Sequence, residues 1–411
     1  MLYQFHELNR TLLSPLVQWA EASSKLFSNP NSPLAHTPFA QRLAAGYELM
    51  YRLGKDYEKP AFGIASTTLE NGAQVAVLEE VAEERPFCRL LHFRKDASGE
   101  KAADRQSTVL LVAPLSGHHA TLLRETVREL LPYHDVYITD WTDARMVPLS
   151  EGPFHLHDYI YYVQDFIRKL GPDVHVVSVC QPTVPVLAAI SLMASANDPM
   201  LPKSMIMMGG PIDPRKSPTE VNDLATNKPF SWFENNVIYS VPPNYPGHGR
   251  KVYPGFLQHA GFVAMNPRRH AKSHWDFYMH LREGDNESAE VHRKFYDEYN
   301  AVLDMPAEYY LETIKTVFQD FELPRGTWKV EGKPVRPQDI QSVALFTIEG
   351  ELDDISGSGQ TEAAQGLCSG IPAAKKRHLT APGCGHYGIF SGRRWRELIR
   401  PAITAFIAKH S

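Results

Sequence analysis

Between residues 107 and 209 short aliphatic runs alternate with amphipathic stretches, and this alternation restricts the chain to very few folds. The runs 107-STVLLVAP-114, 135-DVYITDW-141, 174-VHVVSVC-180 and 203-KSMIMMG-209 are apolar on both faces of an extended chain. The segments between them, about 119–131, 155–170 and 183–197, carry helical periodicity. Strands without a polar face, joined by helices, predict a parallel sheet covered on both sides, a doubly wound α/β architecture. Upstream, 62-FGIASTTL-69 and 73-AQVAVLEEV-81 flank Asn71-Gly72, a dipeptide that tolerates the positive φ angles of a tight turn, so a hairpin is expected to open the sheet.

The alternation stops near residue 211 and resumes with 342-SVALFTIEGE-351, a helix over about 358–369, 376-KRHLTAP-382 and a helix over about 391–408. The block between is rich in Pro, His and aromatics: residues 228–330 hold 19 of the 43 Phe, Trp and Tyr. The expected organisation is therefore an N-terminal helical extension (1–60), a first core part (61–210), an inserted cap (211–340) and a second core part (341–411). In the extension, Leu8, Leu12, Leu16 and Trp19 follow helical spacing, and 29-NPNSP-33 breaks the pattern before 39-FAQRLAAGYELMYRL-53 resumes it.

Composition removes several function classes. A net charge of −5 provides no basic field for nucleic acid. No apolar run approaches the roughly 18 to 20 residues of a membrane span. The opening Met-Leu-Tyr-Gln-Phe-His-Glu lacks the pattern of a secretory signal, so a cytoplasmic location is the expectation. Cys88, Cys180, Cys368 and Cys384 are read as free thiols, since four scattered cysteines without a CxxC pair build neither a disulfide framework nor a zinc site. The histidine pairs lack HExxH or Cys/His zinc spacing, so no metal is expected. Gly383-x-Gly385-x-x-Gly388 spells a dinucleotide fingerprint, but one helix and no acid about 20 residues on follow it, so no cofactor is expected either.

The residues that carry chemistry sit at strand ends. Cys180 closes a strand, and Pro182 and Pro185 fit the first turn of the helix that follows, the strand–turn–helix layout of a nucleophile elbow. A helix N-terminus beside a thiol favours the reactive thiolate. The loop 350-GELDD-354 then offers an acid and 382-PGCGHYG-388 a histidine, in the chain order nucleophile, acid, base. Asp353 is expected to orient His386, with Asp354 pointing away. The oxyanion would be held by the amide of Gln181 and by the loop 114-PLSGHH-119, through Leu115 first and Ser116 second. Cys384 is the rival thiol, but its Gly-flanked loop lacks the elbow layout.

The segments 174-VHVVSVCQPTVPVLAA-189, 350-GELDDISGSGQT-361 and 382-PGCGHYGIFSG-392 resemble the cytoplasmic polyhydroxyalkanoate (polyhydroxybutyrate) depolymerases, as do 114-PLSGHHATLLR-124 and 232-WFENNVIYSVPPNYPGHGRKVYPGF-256. The resemblance implies an α/β-hydrolase fold, a Cys180–His386–Asp353 triad, and hydrolysis of stored 3-hydroxybutyrate polyester at granules. Ser178 and Pro182 stand where hydrolase elbows usually carry glycines. A synthase-type acyltransferase, thiolysis by coenzyme A and a catalytically silent granule protein are the alternatives. Monomer and homodimer are both open. Within the cap, Ser116 aside, Trp232 and Tyr245 are the expected substrate contacts, in 230-FSWF-233 and 239-YSVPPNYPGHG-249, because restrained aromatic rings suit an apolar polyester.

Overall fold

The computed structural model describes residues 2–29, 31, 35, 37–96 and 106–411. Of the expected break at 29–33, residues 30, 32 and 33 lie outside the described residues.

In chain order the strands are β1 (Ser66–Thr68), β2 (Gln74–Arg85), β3 (Cys88–Asp96), β4 (Ser107–Val112), β5 (His134–Trp141), β6 (His175–Val179), β7 (Ser204–Met208), β8 (Tyr239–Ser240), β9 (Lys251–Tyr253), β10 (Met305–Pro306), β11 (Lys329–Val330), β12 (Lys333–Pro334), β13 (Ala344–Gly350) and β14 (Lys376–Ala381). Nine of them form one sheet in the order β1-β2-β3-β5-β4-β6-β7-β13-β14. The first three strands run antiparallel to their neighbours, and the six from β5 to β14 are parallel. An antiparallel entry followed by a crossover that sets β5 outside β4 is the strand order of the α/β-hydrolase fold, which fits the alternating sequence pattern. The Asn71-Gly72 hairpin forms as expected, with Gly72 at φ +84°.

β3 has no counterpart in the periodicity reading. Its apolar residues Cys88, Leu90, Leu91 and Phe93 are buried, but charged residues interrupt them. Their polar partners lie on the adjacent strand β5: Arg89 reaches Asp140 at 2.6 Å, and His92 Nε2 lies 2.8 Å from Asp135.

The helices preceding the sheet and within it are α1 (Leu2–Phe27), α2 (Pro38–Gly54), α3 (Arg124–Leu130), α4 (Leu156–Leu170) and α5 (Thr183–Ser195). Successive residues of each parallel strand point to opposite faces. Leu110, Val112, Val176, Met205, Met207 and Leu345 pack on one face with α4 and α5. Val109, Leu111, Val177, Ile206, Phe346 and Ile348 pack on the other with α3 and the closing helical stretch, including Trp395 and Phe406. Replacing a fully buried ring such as Phe346 by alanine is expected to cost about 3–5 kcal/mol, measurable as a lowered chemical-denaturation midpoint.

Between β7 and β13 lie seven α-helices, α6 (Glu220–Asn227), α7 (Phe230–Asn236), α8 (Gly255–Met265), α9 (Pro267–Glu283), α10 (Asn286–Tyr299), α11 (Ala307–Thr313) and the single turn α12 (Glu322–Arg325), with a small antiparallel sheet β10-β9-β8 and the hairpin β11–β12. The N-terminal helices brace this block. Tyr3 donates to Asp304 Oδ2 at 2.6 Å, Arg52 to Asp297 at 2.7 Å, and Arg293 to Glu48 at 2.7 Å. α1 buries only Tyr3, Ala20 and Ser24, and leaves Leu8, Leu12, Leu16 and Trp19 about half exposed or more. No helix among the described residues is long and apolar enough to cross a membrane.

Candidate active site

β6 ends at Val179, and Cys180 follows at φ +68°, a left-handed conformation that costs a non-glycine residue about 1–2 kcal/mol. The surroundings impose it. The Cys180 amide donates to Met208 O at 2.7 Å, while its carbonyl accepts from Thr183 N at 3.1 Å as the helix α5 begins. Strain of this kind at a strand–helix turn lifts the thiol off the C-terminal edge of the sheet.

The small residues such an elbow needs lie on the neighbouring strand. A Cβ on Gly210 would fall on the Thr183 hydroxyl and the Cys180 carbonyl, and one on Gly209 would meet Ile389 and come within 3.4 Å of His386 Cε1. Ser178 is accommodated because it is fully buried, its hydroxyl donating to Ile206 O at 3.3 Å. The Gly209-Gly210 pair at the end of β7 was the available sequence signal, legible only once β6 and β7 are known to be adjacent. Gly210→Ala is therefore expected to displace the elbow, lowering both the melting temperature and turnover, whereas alanine at Gly46, unhindered inside α2 and remote from the cavity, should lower neither; differential scanning calorimetry with an ester assay checks this.

His386 and Asp353 meet in the loops after β14 and β13: His386 Nδ1 lies 2.8 Å from Asp353 Oδ2, both side chains at most 5% exposed. The other carboxylate oxygen, Oδ1, accepts from Ile355 N at 2.9 Å and Ser356 N at 2.8 Å, so the loop itself aims the acid. Asp354 turns outward, where Asn266 donates to it at 3.4 Å. Burial alone would lower the His386 pKa. The charge of Cys180 and that of Asp353, with hydrogen bonds to both, override burial and hold the imidazole well above its ordinary range. A raised folded-state value stabilises the protein fully below about pH 6.5, the unfolded value, and that contribution is lost as pH rises through the folded value. Melting curves across this alkaline window should show the loss in the wild-type protein and a smaller one in Asp353→Asn.

The loop 114–119 is pinned before it starts. Ala113 N donates to Thr139 Oγ1 at 2.9 Å, and Ala113 O accepts from Trp141 Nε1 at 2.8 Å. Beyond it, Gly117 stands at φ +110° and its carbonyl accepts from Leu303 N at 2.8 Å. Among the described residues the amides of Leu115, Ser116 and Gln181 have no protein acceptor.

Cys180, Gln181, Ser116, Leu115 and His386 share one cavity of about 290 Å3, walled by the insertion through Phe233, Tyr253, Phe262, Tyr309, Tyr310 and Phe318. A second, wider space of about 710 Å3 adjoins it at His386 and Tyr387, lined by α9 and α10. Trp232 and Tyr245 do not line either space. Trp232 packs edge-on to Phe233 with Lys228 over its ring, and it is Phe233 that faces the cavity. Tyr245 donates to Glu7 at 3.0 Å and accepts from Arg10 at 3.2 Å, which ties α1 to the insertion. Neither residue is brought to the cavity: Trp232 lies about 100° around α7 from Phe233, and Tyr245 is held against α1 by Glu7 and Arg10.

Cys384 is buried, burial raising its pKa, and its sulfur lies against Gly388. Two groups of three possible metal ligands exist among the described residues, His155, His157 and Glu312, and Glu349, Glu362 and His378. Their carboxylates are engaged in the protein: Glu312 accepts from His155 at 2.6 Å and Leu156 N at 2.8 Å, and Glu349 from the amides of Gly359, Thr361 and Glu362.

Residues 209–411 match the family model described as PHB de-polymerase C-terminus. Among solved structures, the chain is similar to a monoacylglycerol lipase of Paleococcus ferrophilus, with 14% identity, 74% of this chain and 95% of that one covered, and a TM-score of 0.45. It is also similar to the 2-hydroxy-6-oxo-6-phenylhexa-2,4-dienoate hydrolase of a Rhodococcus strain, with 13% identity, 81% and 99% covered, and a TM-score of 0.42. Comparison with curated proteins finds no match. The strand order, rather than these distant likenesses, is what identifies the fold. Over residues 209–411 the chain is similar to the PHB de-polymerase C-terminus, a match that supports an esterase-type hydrolase, and its strand order is that of the α/β-hydrolase fold.

Proposed function

We propose that the protein hydrolyses poly(3-hydroxybutyrate) through a Cys180–His386–Asp353 triad and an acyl-thioester intermediate. The observation that carries this reading is the left-handed Cys180 beside a His386 imidazole held 2.8 Å from Asp353, opening into an apolar cavity. The Cys180 thiolate attacks an ester carbonyl, and the amides of Gln181 and Leu115 receive the developing oxyanion. As the C–O bond breaks, His386 passes its proton to the departing alkoxide. Water then attacks the thioester, His386 takes its proton, and the sulfur leaves with the hydroxyacid released. Asp353 keeps the imidazole in the required tautomer and stabilises its charge throughout.

The two adjoining spaces suit a polymer. The narrow cavity accommodates a short acyl segment, and the wider one leaves room for the rest of the chain on the alcohol side. The granule's polyester surface is the partner under this reading, and the reaction proceeds in the cytoplasm without a cofactor.

The test is mass spectrometry of the protein quenched during turnover of 3-hydroxybutyrate oligomers. A 3-hydroxybutyryl adduct on Cys180, with free hydroxyacid as product, is the expected result. An adduct elsewhere overturns the triad. Polymer made from 3-hydroxybutyryl-CoA, or acyl-CoA formed when coenzyme A is added, selects the acyltransferase or the thiolytic reading, and oligomers left intact select the silent granule protein.

A further inference from the structure

Gln181 contributes more than a backbone amide to the cavity. The residue is only 8% exposed, and the hydroxyl of Tyr309, a fully buried residue of α11, donates to Oε1 at 2.6 Å. The tyrosine lies 128 residues away in sequence and belongs to the insertion, so the insertion sets the rotamer of the residue that follows the nucleophile. With Oε1 taken, the amide orientation is determined, and Nε2 is left as a donor with no acceptor among the described residues. The same cavity is walled by Val221, Leu224, Phe233, Phe262, Ile314 and Phe318. A buried donor lacking an acceptor in such surroundings is unfavourable until a ligand supplies one, and a site of this kind discriminates strongly against a ligand that cannot.

We propose that Gln181 Nε2 is a specificity-determining donor to a second oxygen of the acyl chain, so that the cavity selects acyl groups oxygenated near C3 over plain alkanoyl groups of the same length. The inference rests on the reading of Cys180 as nucleophile, because it places the acyl group, and not the alcohol, beside Gln181. Chemically it follows that an oxygen one or two bonds beyond the reacting carbonyl's neighbour meets the donor while the carbonyl oxygen is held by the backbone amides. Tyr309 acts on this selectivity as a positioning residue: its ring helps wall the cavity, but its hydroxyl is spent on Gln181 Oε1.

The experiment compares butyryl, 3-hydroxybutyryl and 3-acetoxybutyryl esters of one alcohol, each kcat/KM divided by the ester's own rate of hydroxide hydrolysis to remove intrinsic reactivity. The wild-type protein is expected to favour both oxygenated esters by about tenfold to a hundredfold. Gln181→Met, which keeps the volume and removes the donor, should bring that ratio to within about threefold of unity, and Tyr309→Phe should reduce it by a smaller factor. A wild-type preference below tenfold overturns the proposal whatever the variants do, and so does a Gln181→Met protein that is slower on all three esters by one common factor. Turnover of all three esters without discrimination leaves the nucleophile assignment standing, whereas failure to hydrolyse any of them overturns both readings.

Discussion

Cys180→Ala is expected to fold and to hydrolyse 3-hydroxybutyrate oligomers on the order of 10^4-fold more slowly than the natural protein, or slower still. The loss is this large because nucleophile, base and acid act as one unit, so removing the sulfur also idles His386 and Asp353. Folding should survive because the turn is imposed by backbone bonds, Cys180 N to Met208 O and Thr183 N to Cys180 O, and not by the thiol. A sharper form of the experiment is Cys180→Gly. Glycine adopts φ +68° without the penalty that cysteine meets, so this variant should be inactive and yet more stable, by about 1 kcal/mol, as read from chemical denaturation. Iodoacetamide should inactivate the natural protein with the label on Cys180. Full activity in Cys180→Ala, with loss in Cys384→Ala, would reverse the assignment.

The second large effect separates two adjacent carboxylates. Asp353→Asn should lower turnover by about 10^3- to 10^4-fold, because an amide nitrogen facing His386 Nδ1 favours the wrong tautomer and leaves the imidazolium without its counter-charge. Asp354→Asn should change turnover of a soluble ester by no more than about threefold, since that side chain turns to the wider space, where Asn266 donates to it, and away from His386. The measurement is kcat/KM for a soluble 3-hydroxybutyrate ester in both variants, with the melting temperature as a check on folding. Similar losses in the two would show that the loop, rather than the Asp353 carboxylate, supports His386.

Periodicity alone was enough to place β4 to β7, β13 and β14 within two residues of their observed bounds, because a buried parallel strand must be apolar on both faces and that demand is written locally. It missed β3, where Arg89, His92, Arg94 and Lys95 interrupt the apolar pattern. Partners for these side chains are supplied by the fold: Arg89 meets Asp140, His92 meets Asp135 and Arg94 meets Glu80, while Lys95 donates to the carbonyls of Leu131 and His134. Likewise the helical spacing of α1 identified a helix, yet could not say that its leucines would remain exposed while Tyr3 anchors it to Asp304, 301 residues away.

That Cys180, Asp353 and His386 would gather was legible in the chain because each follows a strand, and strands of a parallel sheet present their C-terminal ends at one edge. Which groups actually meet was decided by tertiary structure. Asp353 rather than Asp354 faces His386 because the amides of Ile355 and Ser356 hold its other oxygen. Gly209 and Gly210 leave room for an elbow that has no glycines of its own, because β7 lies beside β6. Phe233 lines the cavity that Cys180 opens into where Trp232 does not, and Tyr309 orients Gln181 from far along the chain. Local pattern records the cost of burying a residue, which depends on its own neighbours in sequence; it carries no record of partners that only packing makes adjacent, and the chemistry of this site consists of such partners.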